Sequence, residues 1–80
     1  MALITSFEKK PNEGGQRHKT DVVAHYKVFP PTGQKRVLQI DTYGSADRAM
    51  PGKLSQTIQL SEDSAKALWV ILGEEFGFKP

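Results

Sequence analysis

The stretch VLQIDTYGSADRAMPGKLSQTIQL, residues 37–60, decides the fold of this 80-residue chain. Its two ends, VLQIDTY and LSQTIQL, alternate apolar and polar residues, which is the period of a strand with one buried face. The loop between them contains Pro51 and Gly52, and glycine after proline suits a type II turn. The pattern therefore predicts two antiparallel strands. We expect Leu38, Ile40, Ile58 and Leu60 to point toward the core, and Val37, Gln39, Asp41, Tyr43, Thr57 and Gln59 to point away from it.

A third strand is predicted at residues 21–29, DVVAHYKVF, where apolar positions again alternate. It is followed by a tight PPTGQ loop, in which Gly33 can adopt a positive φ. The strand has one apolar face and one mixed face, and we expect the apolar face to pack on the core. The apolar set is Val22, Ala24, Tyr26 and Val28, and the mixed set is Val23, His25, Lys27 and Phe29.

A helix is predicted directly after Leu60. Ser61 is a strong N-cap candidate because its side-chain oxygen can accept a backbone N–H from the first turn. Glu62 and Asp63 follow in that turn, where the helix macrodipole favours negative charge, and Gly77 is expected to end the helix. A stripe at three- and four-residue steps is expected to face the sheet. Its members are Ala65, Leu68, Leu72 and Phe76.

The helix is apolar over more than this one stripe, so we expect a second copy of the chain to cover it. A chain of this length buries only roughly 60% of the surface that its unfolded form exposes. It also has no cysteine, so a disulfide cannot add stability. A dimer interface would supply the missing burial. The residues expected in that interface are Leu68, Trp69, Ile71, Leu72 and Phe76.

The pattern as a whole predicts an α+β fold. We expect a curved antiparallel sheet of three to four strands followed by one C-terminal helix, assembled as a homodimer. Residues 21–80 form a single β-β-β-α domain, and residues 1–20 form a flexible segment that can add an edge strand near its start. No apolar run is long enough for a secretory signal or a transmembrane helix, and we expect a cytoplasmic protein.

Charge is divided unevenly along the chain. Residues 1–60 carry nine Lys or Arg against five acids, a net charge of +4, whereas residues 61–80 carry two against four, a net charge of −2. A one-sided basic field suits a polyanionic partner. An ordinary solvated surface remains the alternative explanation of this charge.

The face that points away from the core mixes basic, aromatic and amide side chains. Sites for single-stranded nucleic acid have this composition, because cations neutralise phosphates while unpaired bases stack on aromatic rings. Phe29 and Tyr43 are the candidate stacking residues, although edge packing against the N-terminal segment would equally explain them. The candidate phosphate-binding residues are Lys27, Lys35, Arg36, Arg48 and Lys53.

We do not expect an enzyme. Neither His18 nor His25 belongs to a recognisable nucleophile–base motif, and Asp41, Asp47 and Lys53 form only a faint metal-nuclease pattern. No metal, cofactor, membrane or small-molecule substrate is expected. The alternative to nucleic-acid binding is a protein-interaction module that binds a partner chain through its apolar helix. That alternative does not explain the basic charge of residues 1–60.

Several short motifs add a family resemblance over residues 22–72. They are VVAHYKVF ending at Phe29, PPTGQK, V-x-x-I-x-x-Y ending at Tyr43, PGK at residues 51–53, TIQL, and SEDSAKALWVIL. In this order they resemble the single-stranded-DNA-binding domain of the transcriptional coactivator family known as positive cofactor four.

The resemblance implies a homodimer joined largely through its helices, with single-stranded DNA running along curved sheet faces and basic loops. It therefore favours DNA over RNA and a role in transcription regulation or replication, while nothing in the residues marks contact with a 2′-hydroxyl group. It points to Phe29, Lys35 and Lys53, and then to Lys27 and Arg36. The chain departs from the family pattern at two positions. These are Asp41, where a basic residue is expected, and Ala65, where an aromatic residue is expected.

Overall fold

The computed structural model of the chain describes residues 1–43 and 54–78. It has an α+β fold in which four strands form one sheet and a single helix follows them. The elements are β1 (Ala2–Ile4), β2 (Ala24–Phe29), β3 (Val37–Tyr43), β4 (Leu54–Leu60) and α1 (Glu62–Phe76). The strands lie in the order β1-β4-β3-β2 across the sheet. The predicted fold class, with four strands and a C-terminal helix, is confirmed.

The sheet is mixed, so the prediction of an antiparallel sheet is wrong for its first strand. β3 pairs antiparallel with both β2 and β4, but β1 pairs parallel with β4, placing Ala2 opposite Ile58 and Ile4 opposite Leu60. Parallel neighbours need a long connection between them. The chain between β1 and β4 contains the other two strands, so it supplies that connection and β1 can cover the free edge of β4.

The register separates the side chains of β2, β3 and β4 onto two faces, because directly paired residues point the same way. This confirms the predicted alternation in β3 and β4. The expected burial is wrong at two positions, since Ile58, expected in the core, is 38% exposed and Thr57, expected to point away from it, is buried at 8% exposure. The His25 and Tyr43 rings approach to 4.9 Å between centroids, which places Tyr43 on the side of His25. The polar face consists of His25, Lys27, Phe29, Val37, Gln39, Asp41, Tyr43, Thr57 and Gln59. The opposite face, which we call the apolar face, consists of Ala24, Tyr26, Val28, Leu38, Ile40, Thr42, Gln56, Ile58 and Leu60.

The core of the chain is small. Among the described residues, Leu60 is the buried hydrophobic side chain, at 2% exposure, and Ser64 in the first turn of the helix is fully buried. β2 is exposed along its whole length, and Tyr26 on the apolar face is 77% exposed. Ala24, Tyr26 and Val28 of the expected apolar set therefore lie on the correct face but are exposed. The physical reason is position, since β2 is an edge strand and the helix lies against β3 and β4. Val22 precedes the strand, which begins at Ala24 and not at residue 21 as predicted.

The helix ends are built as the sequence predicts. Ser61 Oγ accepts a hydrogen bond from the Ser64 backbone nitrogen at 3.3 Å, and Ala65 donates its backbone N–H to the Ser61 carbonyl at 2.8 Å. At the other end Gly77 adopts φ 73°, the left-handed conformation that glycine enters without a steric penalty. No helix within residues 1–43 and 54–78 is long and apolar enough to cross a membrane.

The apolar surface of the helix is only partly covered. Trp69 is 54% exposed and Phe76 is 67% exposed. The expectation that Phe76 faces the sheet is therefore wrong. Its ring instead stacks on Phe78, with 5.5 Å between centroids, because the left-handed turn at Gly77 brings the chain back toward the last helical turn.

The N-terminal segment returns along the C-terminal half of the helix. Phe7 and Ile71 line one shallow pocket there, and Lys9 Nζ lies 3.0 Å from Glu75 Oε2. Exposed ion pairs of this kind contribute little, at most about 1 kcal/mol. The contact nevertheless places this segment against the helix and away from the β2 edge of the sheet.

Candidate nucleic-acid interface

Four side chains at the centre of the polar face form a continuous series of hydrogen bonds, which we name the Gln–Asp ladder. It consists of Gln59, Gln39, Asp41 and Thr57. Gln59 Nε2 donates to Gln39 Oε1 at 3.0 Å, and Gln39 Nε2 donates to both carboxylate oxygens of Asp41 at 3.2 and 3.3 Å. Thr57 Oγ1 donates to Asp41 Oδ1 at 2.7 Å.

The ladder follows from the strand register. Gln59 stands opposite Gln39 and Thr57 stands opposite Asp41 in the antiparallel pairing of β3 with β4, so the paired Cβ atoms lie about 5 Å apart. Amides and hydroxyls at that spacing can bond to one another directly. The consequence is a polar surface whose amide groups are oriented by their neighbours before any ligand arrives.

Asp41 is the electrostatic centre of this surface. The hydrogen bond from Thr57 lowers the pKa of Asp41 below its ordinary value of 3.8; partial desolvation acts against it, and Gln39, Lys27 and His25 add to the lowering. The carboxylate is therefore ionised at neutral pH. A fixed negative charge here repels anions such as phosphate from the centre of the face.

Aromatic rings flank the ladder on both sides. The His25 and Tyr43 rings pack with an interplanar angle of 54°, and His25 stands directly opposite Asp41. At the other end, Lys27 Nζ lies 6.0 Å from the centre of the Phe29 ring, which is the outer limit of a cation–π interaction. Phe29 remains 38% exposed. Each ring therefore keeps surface on which a base can stack.

Two basic residues mark the β2–β3 hairpin end of the face. Lys35 is exposed and has φ 58°, an uncommon value for a residue with a Cβ. Arg36 is held at its backbone and side chain: its N–H donates to Glu62 Oε1 at 3.4 Å, and its Nε donates to the Pro30 carbonyl at 3.1 Å. The terminal nitrogens of its guanidinium carry further donors, and these could bind a phosphate.

The structure thus brings Lys27, Phe29 and Tyr43 onto one face and places Lys35 and Arg36 at its hairpin end. Arg48 and Lys53 lie outside the described residues. Of the residues expected in a dimer interface, Trp69 and Phe76 are exposed; Leu68, Ile71 and Leu72 are half-buried.

Sequence reasoning missed two features of the site. It noted Asp41 as a departure from the family pattern but did not place it at the centre of a hydrogen-bonded ladder. It also assigned no partner to His25, whose ring packs on Tyr43 while the residue stays exposed. The cross-strand register would have revealed both, because His25, Asp41 and Thr57 form one row across three strands.

Comparisons of the chain with protein-family models, with curated proteins and with solved structures found no match.

Proposed function

We propose that this protein binds single-stranded nucleic acid through the polar face of its sheet, with little sequence specificity and as a homodimer. DNA is favoured over RNA, and transcription regulation or replication are the processes that fit such an activity. The single observation that carries the proposal is the placement of Lys27, Phe29 and the His25–Tyr43 ring pair around an ordered polar ladder.

The preference for single strands has a physical reason. Bases in a duplex stack on one another and are closed to a flat protein surface, whereas unpaired bases can stack on aromatic rings at about 1–3 kcal/mol each. Phe29 and Tyr43 would provide such rings at opposite ends of the face. Lys27, Lys35 and Arg36 would neutralise phosphates near its margin. Arg48 and Lys53, which lie outside the described residues, are the further candidates from the sequence.

The proposed homodimer is supported by how much surface the single chain exposes. Its accessible area is 7125 Å², compared with about 4,800 Å² for a typical folded monomer of this mass. Its radius of gyration is 14.9 Å, compared with about 12 Å for a compact domain of this length. The exposed apolar groups include Tyr26 of the apolar face and Trp69 of the helix. A second copy that covers these groups would give the protomer the core that it lacks.

The second candidate function is a module that binds a different protein through the same apolar surface, without nucleic acid. The exposure of Trp69 and Phe76 favours this function as much as it favours self-association. The two candidate functions differ in their use of the polar face. Nucleic-acid binding requires this face, whereas binding of another protein through the apolar surface does not.

A titration of fluorescently labelled oligonucleotides separates these functions. Single-stranded DNA, single-stranded RNA and duplex DNA of equal length should be tested at a low and a high salt concentration. We expect single strands to bind more tightly than the duplex, and the affinity to fall steeply with added salt because binding releases counterions. Absence of binding to all three at low salt would contradict the proposal.

Charge reversal then tests the surface. The double variant Lys35→Glu, Lys53→Glu should weaken binding strongly, and Lys66→Glu on the helix serves as a control of equal charge change per site. If the double variant binds as tightly as the parent protein, the protein binds nucleic acid through a surface other than the polar face.

A further inference from the structure

We propose that Asp41 makes the polar face select single strands rich in bases that carry an exocyclic amino group, namely cytosine, adenine and guanine, over thymine and uracil. This inference rests on the proposed function and specifies its ligand class. It concerns base composition, so it is compatible with the absence of strong sequence specificity.

The hydrogen bonds leave one side of the carboxylate open to a ligand. Oδ1 accepts from Thr57 at 2.7 Å and from Gln39 at 3.2 Å, whereas Oδ2 accepts a single longer bond of 3.3 Å, from Gln39, among the described residues. A carboxylate offers about four acceptor positions in all. Oδ2 is therefore the oxygen with capacity for a further donor, and the ladder holds it in a fixed direction.

The neighbouring rings would deliver a base edge to that oxygen. His25 stands directly opposite Asp41 on β2, with paired Cβ atoms about 5 Å apart. Tyr43 is two residues further along β3 and packs on His25, so all three side chains share the polar face. A base stacked on either ring would extend its hydrogen-bonding edge over the ladder, toward the Asp41 carboxylate.

The chemistry of the base edge then decides affinity. Cytosine presents an N–H donor from its amino group, and Asp side chains accept from that group in known base contacts. Uracil and thymine present a carbonyl oxygen at the same position, which a carboxylate repels. Their one ring N–H donor lies between two carbonyl oxygens and is shielded by them. Lowering of the Asp41 pKa keeps the carboxylate ionised and an acceptor at neutral pH.

The test compares oligodeoxycytidine with oligodeoxyuridine of equal length, on the order of 16 nucleotides. These pyrimidine strands carry equal charge and differ in their hydrogen-bonding edge. The binding should be measured at mildly alkaline pH, where cytosine tracts stay unpaired. We expect the parent protein to bind oligodeoxycytidine roughly 10- to 150-fold more tightly, the size of one added hydrogen bond to a charged group.

Two changes should abolish the preference. Asp41→Asn keeps the shape of the side chain but replaces one acceptor with a donor, so the ratio of the two affinities should fall to one or below. As a control of equal charge change, Glu74→Gln removes one negative charge on the helix and should leave the ratio of the two affinities unchanged. On the ligand side, placing two methyl groups on each cytosine amino nitrogen removes the donors without any change in the protein. This modified strand should bind no better than oligodeoxyuridine.

The outcomes separate the inference from the proposed function. If neither strand binds, the proposed function fails. If both bind and the parent protein shows no preference for cytosine, or if the preference survives in Asp41→Asn or with the methylated strand, the proposed function stands and the inference about Asp41 is overturned. The methylated strand keeps the test decisive even if Asp41→Asn does not fold.

Discussion

The two faces of the sheet differ in how far their side chains find partners within the single chain. On the polar face, the amides of Gln39 and Gln59 and the carboxylate of Asp41 bond to one another. On the apolar face, Leu60 is 2% exposed at one end, whereas Tyr26 is 77% exposed at the β2 edge. The polar face is thus organised before it meets any ligand, and the apolar face is organised only near the start of the helix.

We infer from this difference that the two faces suit different kinds of partner. Fully burying a large apolar side chain contributes about 1.5–3 kcal/mol, so the exposed apolar groups are an unused source of stability that a second protein surface can supply. An ordered polar surface gains little from such contact, since desolvating its charged Asp41 is costly. It is better suited to a hydrated, charged ligand.

The largest expected effect comes from Trp69→Glu. A carboxylate in the middle of the exposed helical surface cannot be buried without a partner charge, so we expect the dimer to dissociate fully at micromolar concentration. Light scattering would report a halved mass. Trp69→Phe keeps an apolar ring and should remain dimeric. A variant Trp69→Glu of unchanged mass would show that this helix face is not the interface.

The second largest effect compares two aromatic residues of β2 that lie on opposite faces of the sheet. Phe29→Ala should weaken the binding of a single-stranded oligonucleotide by about 1–3 kcal/mol, because one stacking platform is lost. Tyr26→Ala removes an aromatic ring from the opposite face of β2 and should change the affinity much less, when measured at a concentration at which light scattering shows an intact dimer. Equal losses of affinity in both variants would show that the two faces do not differ in their contact with the oligonucleotide.

Period-two alternation made much of this architecture predictable. Alternation in residues 37–43 and 56–60 assigned their side chains to the correct faces, and Ser61 with Gly77 marked the helix ends, because capping depends on local chemistry. The parallel pairing of β1 was not predictable, since a strand of three residues does not encode the direction of its partner. The exposure of Tyr26 was also missed, because alternation shows which face is apolar and not whether another element covers it.

The sequence predicted which residues share the candidate site but not how their side chains bond to one another. Lys27, Phe29 and Tyr43 could be placed on one face from the sequence. The bonds that join Gln39, Gln59 and Thr57 through Asp41 depend on the register between β3 and β4, and the long loop between these strands does not determine a register as a two-residue hairpin turn does.

A smaller effect is expected for single charges on the polar face. Lys27→Gln should reduce the magnitude of the salt dependence of binding, the slope of log affinity against log salt concentration, by about 0.7, the value for one lost phosphate contact with a single strand. Lys66→Gln, on the helix, should leave the slope nearly unchanged. A slope that changes in Lys66→Gln and not in Lys27→Gln would show that the nucleic acid contacts the helix and not the polar face of the sheet.

The smallest effect concerns acid stability. The folded-state pKa of Asp41 lies below its ordinary value of 3.8, so ionised Asp41 stabilises the folded protein at pH values above 3.8. That contribution is lost as the pH falls through the lowered pKa. Thermal unfolding should therefore show the parent protein more stable than Asp41→Asn at neutral pH, with a gap in Tm that narrows below pH 3.8. A gap that stays constant or widens in acid would contradict this account of the ladder.

The most direct measurement of the central claim uses the side-chain amide groups of three glutamines as reporters in one NMR titration. Gln39 and Gln59 belong to the polar face, whereas Gln56 pairs with Thr42 on the opposite side of the sheet. With a single-stranded oligonucleotide added stepwise, we predict that the side-chain amide signals of Gln39 and Gln59 shift while that of Gln56 stays in place. Shifts confined to Gln56 and the helix, with Gln39 and Gln59 unmoved, would contradict the claim that the polar face binds the strand.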